Sequence, residues 1–191
     1  DHCLSRGLGD VYKRQLQLKS EVIKADKVIL PGVGDFFYCK NELLKINGMV
    51  DAINYFIKDK GKPFLGICIG MQLMAKVSYE RKKNKGLEFI DSEVIIIESE
   101  SKEIRVPHMG WNNVKANAVT GLTGLNESNQ RFYFVHSYYV KVDDQVNSLF
   151  KTNYGLEFDS GIVDQNIYGV QFHPEKSHKF GMNLLEKFAK L

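Results

Sequence analysis

The sequence predicts an α/β fold built on a parallel crossover sheet, with a β-rich C-terminal half, and three observations carry that expectation. Strand, helix, strand and helix patterns follow one another through residues 27–76, the order that requires parallel strands joined by helical crossovers. The second strand pattern runs through Gly66-Ile67-Cys68-Ile69-Gly70 into a helical one, a strand-turn-helix elbow. After about residue 90 the pattern changes to short strands joined by polar turns.

Taken in order, residues 1–15 have neither helical nor strand periodicity and read as a foreign or unstructured tail, so that one domain is expected over residues 16–191. Lys27-Val28-Ile29-Leu30 is a short strand stopped by Pro31-Gly32-Val33-Gly34, and Asp35 opens an amphipathic helix that Asn47-Gly48 interrupts. A second helix over residues 49–60 places Val50, Ile53, Phe56 and Ile57 on one face before Gly61 ends it. The elbow helix is expected over residues 71–76. Beyond it, strands are expected at residues 94–97, 105–106, 113–114, 131–142 and 148–153, with a hairpin pairing residues 162–163 with 167–172. Ser177 is placed to cap a last helix carrying Phe180, Leu184, Leu185 and Phe188 at core spacing.

Composition excludes several classes. The chain has 191 residues, 43% hydrophobic and 26% charged, with a net charge of +3, which is ordinary for one globular domain. The single dense basic run, Arg81-Lys82-Lys83-Asn84-Lys85, lacks interleaved aromatics and reads as a solvated loop, so no nucleic-acid partner is expected. No apolar run has membrane-spanning length, so no membrane is expected. The cysteines Cys3, Cys39 and Cys68 have no disulfide framework and no metal-ligand spacing; a reducing cytoplasm is expected, with no metal and no cofactor.

Gly66-x-Cys68-x-Gly70 is the thiol counterpart of a nucleophile elbow, whose small flanking residues let a strained turn present the central side chain. On that reading Cys68 points outward. Alone, the motif more often marks a buried core cysteine, and the partners must decide. A thiol with a pKa near 8.5 needs a base. Of the five histidines, His2 lies in the tail, His108 precedes a Met-Gly-Trp loop, His136 falls inside a strand and His178 at a helix start. His173 stands where an apolar strand ends, with Glu175 two residues on across Pro174, so the carboxylate can accept the imidazole N–H. Gly32, Gly34 and the amide of Ile69 can donate to an oxyanion. Cys39 lies in a helix with no base near it and is expected to have no part in the chemistry.

These motifs resemble a known family. Gly66-Ile67-Cys68-Ile69-Gly70-Met71-Gln72 and His173-Pro174-Glu175 are the markers of class I, triad-type glutamine amidotransferases, which have a flavodoxin-like open sheet in three α/β/α layers. Leu30-Pro31-Gly32-Val33-Gly34, Val106-Pro107-His108-Met109-Gly110-Trp111-Asn112, Tyr133-Phe134-Val135-His136-Ser137-Tyr138-Tyr139 and Phe172-His173-Pro174-Glu175-Lys176-Ser177 resemble the glutaminase subunits of imidazole glycerol phosphate synthases, from about residue 25 onward. The resemblance implies that Cys68 attacks L-glutamine, His173 shuttles protons and Glu175 orients the imidazole. It implies that Gly34, Gln72, Ser137 and Tyr138 hold glutamine, and that Val33, Gly34 and Ile69 form the oxyanion hole, the Val33 peptide reorienting on activation. Met109, Trp111 and Tyr133 would then dock on a (β/α)8-barrel cyclase subunit that receives the ammonia. The family's opening apolar strand and its Asp-Tyr-Gly-x-Gly-Asn loop have no counterpart here; residues 1–15 stand in that place. Two other functions remain open at this level: a paralogous subunit supplying ammonia for surface-sugar amidation, and an inactive truncated fragment.

Overall fold

A computed structural model describes residues 19–98, 104–123 and 130–191, so the expected tail of residues 1–15 lies outside the described residues. Helix α1 (Lys19–Lys24) precedes strand β1 (Val28–Gly32). Asp35 then caps α2 (Phe36–Lys45), its Oδ1 accepting the Tyr38 N–H at 2.8 Å. Gly48, at φ 69°, makes the left-handed turn into α3 (Met49–Asn54), which continues as a π-helical turn over Tyr55–Asp59 and buries Met49, Ala52, Ile53, Phe56 and Ile57. Every residue of β2 (Phe64–Cys68) is buried, as befits a parallel strand covered on both faces, and it passes without a loop into α4 (Ile69–Leu73).

The second half supplies β3 (Ala75–Ser78), β4 (Asn84–Lys85), β5 (Ile90–Ile96), β6 (His108–Ala116), β7 (Gln130–His136), β8 (Tyr138–Val142) and β9 (Ser148–Asn153). After β10 (Glu157–Asp164) and β11 (Ile167–Val170) the chain ends in α5 (His178–Lys190). The main sheet has the order β1-β2-β11-β10-β8-β5-β3-β4. Strands β1, β2 and β11 are parallel, and β10 is antiparallel to β11 and β8. Strand β6 pairs with β7 and β9, and β9 returns to β10, so the C-terminal half curls away from the flat part of the sheet.

Three layers follow from the side-chain alternation. A Cβ added at Gly66 or Gly169, which are register partners, would meet Met74 or Met71, so that face carries α4. Tyr168, on the opposite face, meets Phe188 of α5 edge-on with ring centroids 6.4 Å apart. Leu184, Leu185 and Phe188 are buried there, and Phe180 packs on the core's margin.

Several expectations change. The elbow helix stops at Leu73 instead of residue 76, because the carbonyls of Leu73, Met74 and Ala75 accept N–H groups from residues 87–90 in place of helical ones. The strand expected at Arg105 starts at His108, past Pro107, which has no N–H to give a ladder. The Met109-Gly110-Trp111 segment is no loop: it lies in β6, with Trp111 opposite Tyr133 and Gly110 opposite Phe134. Residues 131–142 divide at Ser137 into β7 and β8, which pair with different neighbours. No helix among the described residues is long and apolar enough to cross a membrane.

Gly70 supports β1 directly: a Cβ there would stand 1.8 Å from the Leu30 carbonyl oxygen. Gly70→Ala should therefore lose about 3 kcal/mol, roughly 6–12 °C in melting temperature for a chain of this size. An unchanged melting temperature would show that α4 does not press on β1 as described.

Candidate active site

The site begins with backbone strain. Cys68, where β2 becomes α4, has φ 55° and ψ −113°, a conformation that non-glycine residues rarely adopt and that clusters at functional positions. Gly66 and Gly70 permit it, since a Cβ at Gly66 would come within 2.7 Å of the Gly70 carbonyl. The expectation that Cys68 points outward is not met: the residue is only 4% exposed, and the equally buried Gln171 and His173 flank it. Its thiol is free.

His173 follows β11 and is held by its backbone. Its N–H donates to the Tyr133 carbonyl at 2.9 Å, the Tyr133 N–H donates to Ser177 Oγ at 3.0 Å, and the Ser177 hydroxyl donates to the His173 carbonyl at 2.6 Å. Ser177 thus stands at the start of α5 without capping it, its hydroxyl being engaged in this clamp. Glu175 Oε1 lies 2.7 Å from His173 Nδ1, which places a proton on Nδ1, so that in the neutral ring Nε2 is the acceptor. That Nε2 is buried and without a hydrogen-bond partner. Burial opposes a charge on His173, but negative charge on the neighbouring Cys68 sulfur and on the Glu175 carboxylate outweighs it and pushes the pKa up to about 9. Burial also acts to raise Glu175, and the hydrogen bond from His173 overcomes it, leaving the carboxyl below its ordinary value.

Register brings the third part. Gly32 of β1 pairs with Cys68 of β2, so the turn Val33-Gly34 starts one residue beyond the thiol's neighbour. Gly34 takes φ 107°, and Val33 is 71% exposed. Cys39, expected to be idle, donates its S–H to the Val33 carbonyl at 3.4 Å and so ties α2 to this turn.

Gln72 is buried in α4, its Nε2 donating to the Tyr138 carbonyl and to Gln171 Oε1, both at 3.1 Å, while Oε1 has no partner. Gln171 in turn donates from Nε2 to Cys68 Sγ at 3.7 Å. Ser137 accepts the Ile97 N–H through its carbonyl at 2.9 Å, where β7 gives way to β8. The structure thus brings Cys68, His173, Glu175, Gln72 and Tyr138 into one connected set, with Val33, Gly34 and Ile69 beside the thiol.

Sequence reasoning missed Gln171, a wholly buried amide in an otherwise apolar strand end, and that mismatch was its only signal. It also missed a buried pair: His108 Nδ1 lies 3.0 Å from His136 Nε2, and His136 Nδ1 lies 2.8 Å from the Tyr138 carbonyl. Burial lowers these two histidines to about 4 and about 3, so both are neutral. Met109 and Trp111, two residues apart on β6, are 61% and 39% exposed, and Tyr133 on β7 is half-buried beside them. Trp111 stacks on His178 with ring centroids 5.5 Å apart. A cleft of about 460 Å³ opens there, lined by Trp111, Arg131, His178, Lys179 and Phe180; a larger one, about 760 Å³, lies along α2 and does not reach Cys68. Among the described residues no group of three or more His, Cys, Asp or Glu side chains is placed to hold a metal ion.

Known proteins share this pattern. Residues 10–191 match the family described as glutamine amidotransferase class-I. The chain is 47% identical over 169 residues to an imidazole glycerol phosphate synthase subunit HisH 2 of Methanococcus maripaludis, covering 88% of this chain and 82% of that protein. It is 39% identical over 173 residues to the subunit HisH of Rhodopseudomonas palustris, covering 89% and 80%. A crystal structure described as a glutamine amidotransferase superposes with a TM-score of 0.70 at 14% identity, over 94% of this chain and 87% of the other, which speaks for the fold alone.

The His173 and Glu175 pair carries a pH signature. His173 is raised, so its contribution to stability is full below the unfolded value of 6.5 and disappears as pH rises through about 9. Glu175 is lowered, so its contribution is present above its unfolded value of 4.5 and is lost as pH falls. The stability difference between the native chain and Glu175→Gln, measured by urea unfolding, should peak between those two unfolded values and shrink from pH 6.5 toward 9. A difference that grows over that upper range would contradict the pairing.

Proposed function

This chain belongs to the class-I glutamine amidotransferase family, among the glutaminase subunits of imidazole glycerol phosphate synthase, and from that premise we propose how its residues hydrolyse L-glutamine. The observation that carries the mechanism is the His173 imidazole, its Nδ1 held by Glu175 and its Nε2 left unpartnered beside the elbow thiol. Cys68 Sγ attacks the carboxamide carbon of glutamine, and the thiol proton passes to His173 Nε2. The oxyanion that forms is met by the backbone N–H groups of Ile69 and of the Val33-Gly34 turn. Collapse of this tetrahedral adduct breaks the C–N bond, His173 returns the proton to the departing nitrogen, and ammonia leaves. Water, deprotonated by His173, then hydrolyses the glutamyl thioester, releasing glutamate and restoring the thiol. In this reading the unpartnered Gln72 Oε1 accepts an N–H group of the substrate, and Ser137 and Tyr138 complete the glutamine site.

The partner in this reading is a (β/α)8-barrel cyclase, which uses the ammonia to make imidazole glycerol phosphate and AICAR in histidine biosynthesis. Support comes from the exposed Met109 and Trp111 on β6 beside Tyr133, because large apolar side chains held on a strand face water only at some cost. The Tyr133 carbonyl also accepts the His173 N–H, so the docking strand and the catalytic histidine share a hydrogen bond. A cytoplasmic site of action accords with the free thiol that the reaction needs.

The test is glutamine hydrolysis with and without the barrel subunit and its ligand. Native protein should release ammonia in the complex, while Cys68→Ser should release none and keep its melting temperature within a few degrees. Normal turnover by Cys68→Ser would end the assignment.

Trp111→Ala should weaken the complex by roughly tenfold to several hundredfold, the range for truncation of an interface tryptophan, as read by titration with the barrel subunit. Unchanged affinity with a lowered melting temperature would mean that Trp111 serves only its stack on His178.

A further inference from the structure

The sulfur of Cys68 has a neighbour besides His173, and the direction of the hydrogen bond between them can be deduced. The chain of amides starts at the Tyr138 carbonyl, which can only accept. It faces Gln72, so the atom of Gln72 that meets it must be Nε2, the donor. The same Nε2 lies 3.1 Å from Gln171, whose facing atom must therefore be the acceptor Oε1. This orients the Gln171 amide completely. Its remaining end, the Nε2 donor, is turned toward Cys68 Sγ at 3.7 Å. With Gln171, Gln72 and Cys68 all buried, no solvent competes for these groups.

We propose that Gln171 is a further catalytic residue, a fixed N–H donor that stabilises the anionic sulfur of Cys68 and directs the thiol proton away from itself toward His173 Nε2. A side-chain donor aimed at sulfur favours the form that bears negative charge, and a charge-assisted hydrogen bond is stronger than one to the neutral thiol. Because the donor cannot accept, the S–H bond has no partner on the Gln171 side. His173 Nε2 is buried and has no hydrogen-bond partner, which leaves it open to the thiol proton. Gln171 has a second effect through its oxygen: by receiving one Gln72 N–H it keeps Gln72 Oε1 free of internal partners, open to an N–H group of the substrate. The inference rests on Cys68 being the nucleophile of the proposed hydrolysis, and it reaches beyond the triad to a second side chain in contact with the sulfur.

The test separates the thiol from the turnover. The full-length chain and Gln171→Met, which matches the shape and lacks the donor, are alkylated with iodoacetamide across pH 6 to 9.5, and modification of Cys68 is followed by peptide mass spectrometry apart from Cys39. The Cys68 rate at pH 7 should fall about tenfold in Gln171→Met, since hydrogen bonds to charged groups are worth about one pH unit or more. That gap should close toward pH 9.5, above the pKa of about 8.5 of an ordinary free thiol. Equal rates at pH 7 would overturn the proposal, and so would an equal reduction at every pH, which would mark altered access instead of altered ionisation. Should Gln171→Met fail to fold, Gln171→Asn, whose amide is one methylene short of the sulfur, carries the same expectations. In the barrel complex Gln171→Met should lower kcat at neutral pH more than it raises KM, with part of the loss recovered at higher pH; a loss of the same size at every pH would count against the proposal. Alkylation requires no glutamine, so a native chain that turned over no glutamine yet showed the pH-dependent gap would overturn the glutaminase reading while upholding the contact between Gln171 and Cys68.

Discussion

The constraint on which the site depends is the close passage of α4 across the end of β1. Gly70 lies so near the Leu30 carbonyl that no side chain fits between them, and this contact fixes where β2 must turn. Because β1 and β2 run parallel in continuous register from Val28 opposite Phe64 to Gly32 opposite Cys68, the turn leaves the Val33-Gly34 backbone beside the sulfur. One backbone contact thus sets the position of Cys68, its strained torsion angles and the nearness of the Val33-Gly34 backbone. Strand β11 lies against the other side of β2, and the residues that follow it deliver Gln171 and His173 to the same end of the sheet.

Around this frame the protein uses burial in opposite ways on its histidines. His108 and His136 are enclosed without a carboxylate in contact, and desolvation keeps them neutral. Their hydrogen bonds run from one ring to the next and end on the Tyr138 carbonyl, which Gln72 also uses. His173 is as hidden as they are, yet the Glu175 carboxylate and negative charge on the Cys68 sulfur favour its charged form. Water-excluded surroundings strengthen both outcomes, since an unpaired charge is costly there and a paired one is held tightly.

The strained turn at Cys68 and the contact between His173 and Glu175 were legible because each lies in a short stretch of sequence. The elbow needs small residues at fixed offsets from Cys68, and the dyad needs only Pro174 between His173 and Glu175, so local spacing was enough to find both. Helices α2, α3 and α5 were readable from their apolar faces and boundary residues. What escaped depends on distant pairing. Trp111 looked like part of a loop because Gly110 and Pro107 are poor strand formers, and only the ladder to β7 makes that segment a strand. Ser177 looked like a cap, but its hydroxyl is drawn to Tyr133, 44 residues away. Cys68 looked exposed because an elbow presents its side chain, while the layer that encloses it comes from residues a hundred positions later. The Gln171 orientation needs Gln72 and Tyr138 together, which no local pattern contains.

The central claim is that Cys68 is the nucleophile and that the assembled His173 and Glu175 serve it. A glutamine analogue carrying an electrophilic diazoketone in place of the carboxamide tests this most directly, by covalent labelling of the complex with the barrel subunit followed by peptide mass spectrometry. The account predicts one label per chain, on Cys68 and not on Cys39, with ammonia release falling in proportion to the fraction labelled. Labelling at another residue, or full labelling of Cys68 with turnover intact, would contradict it.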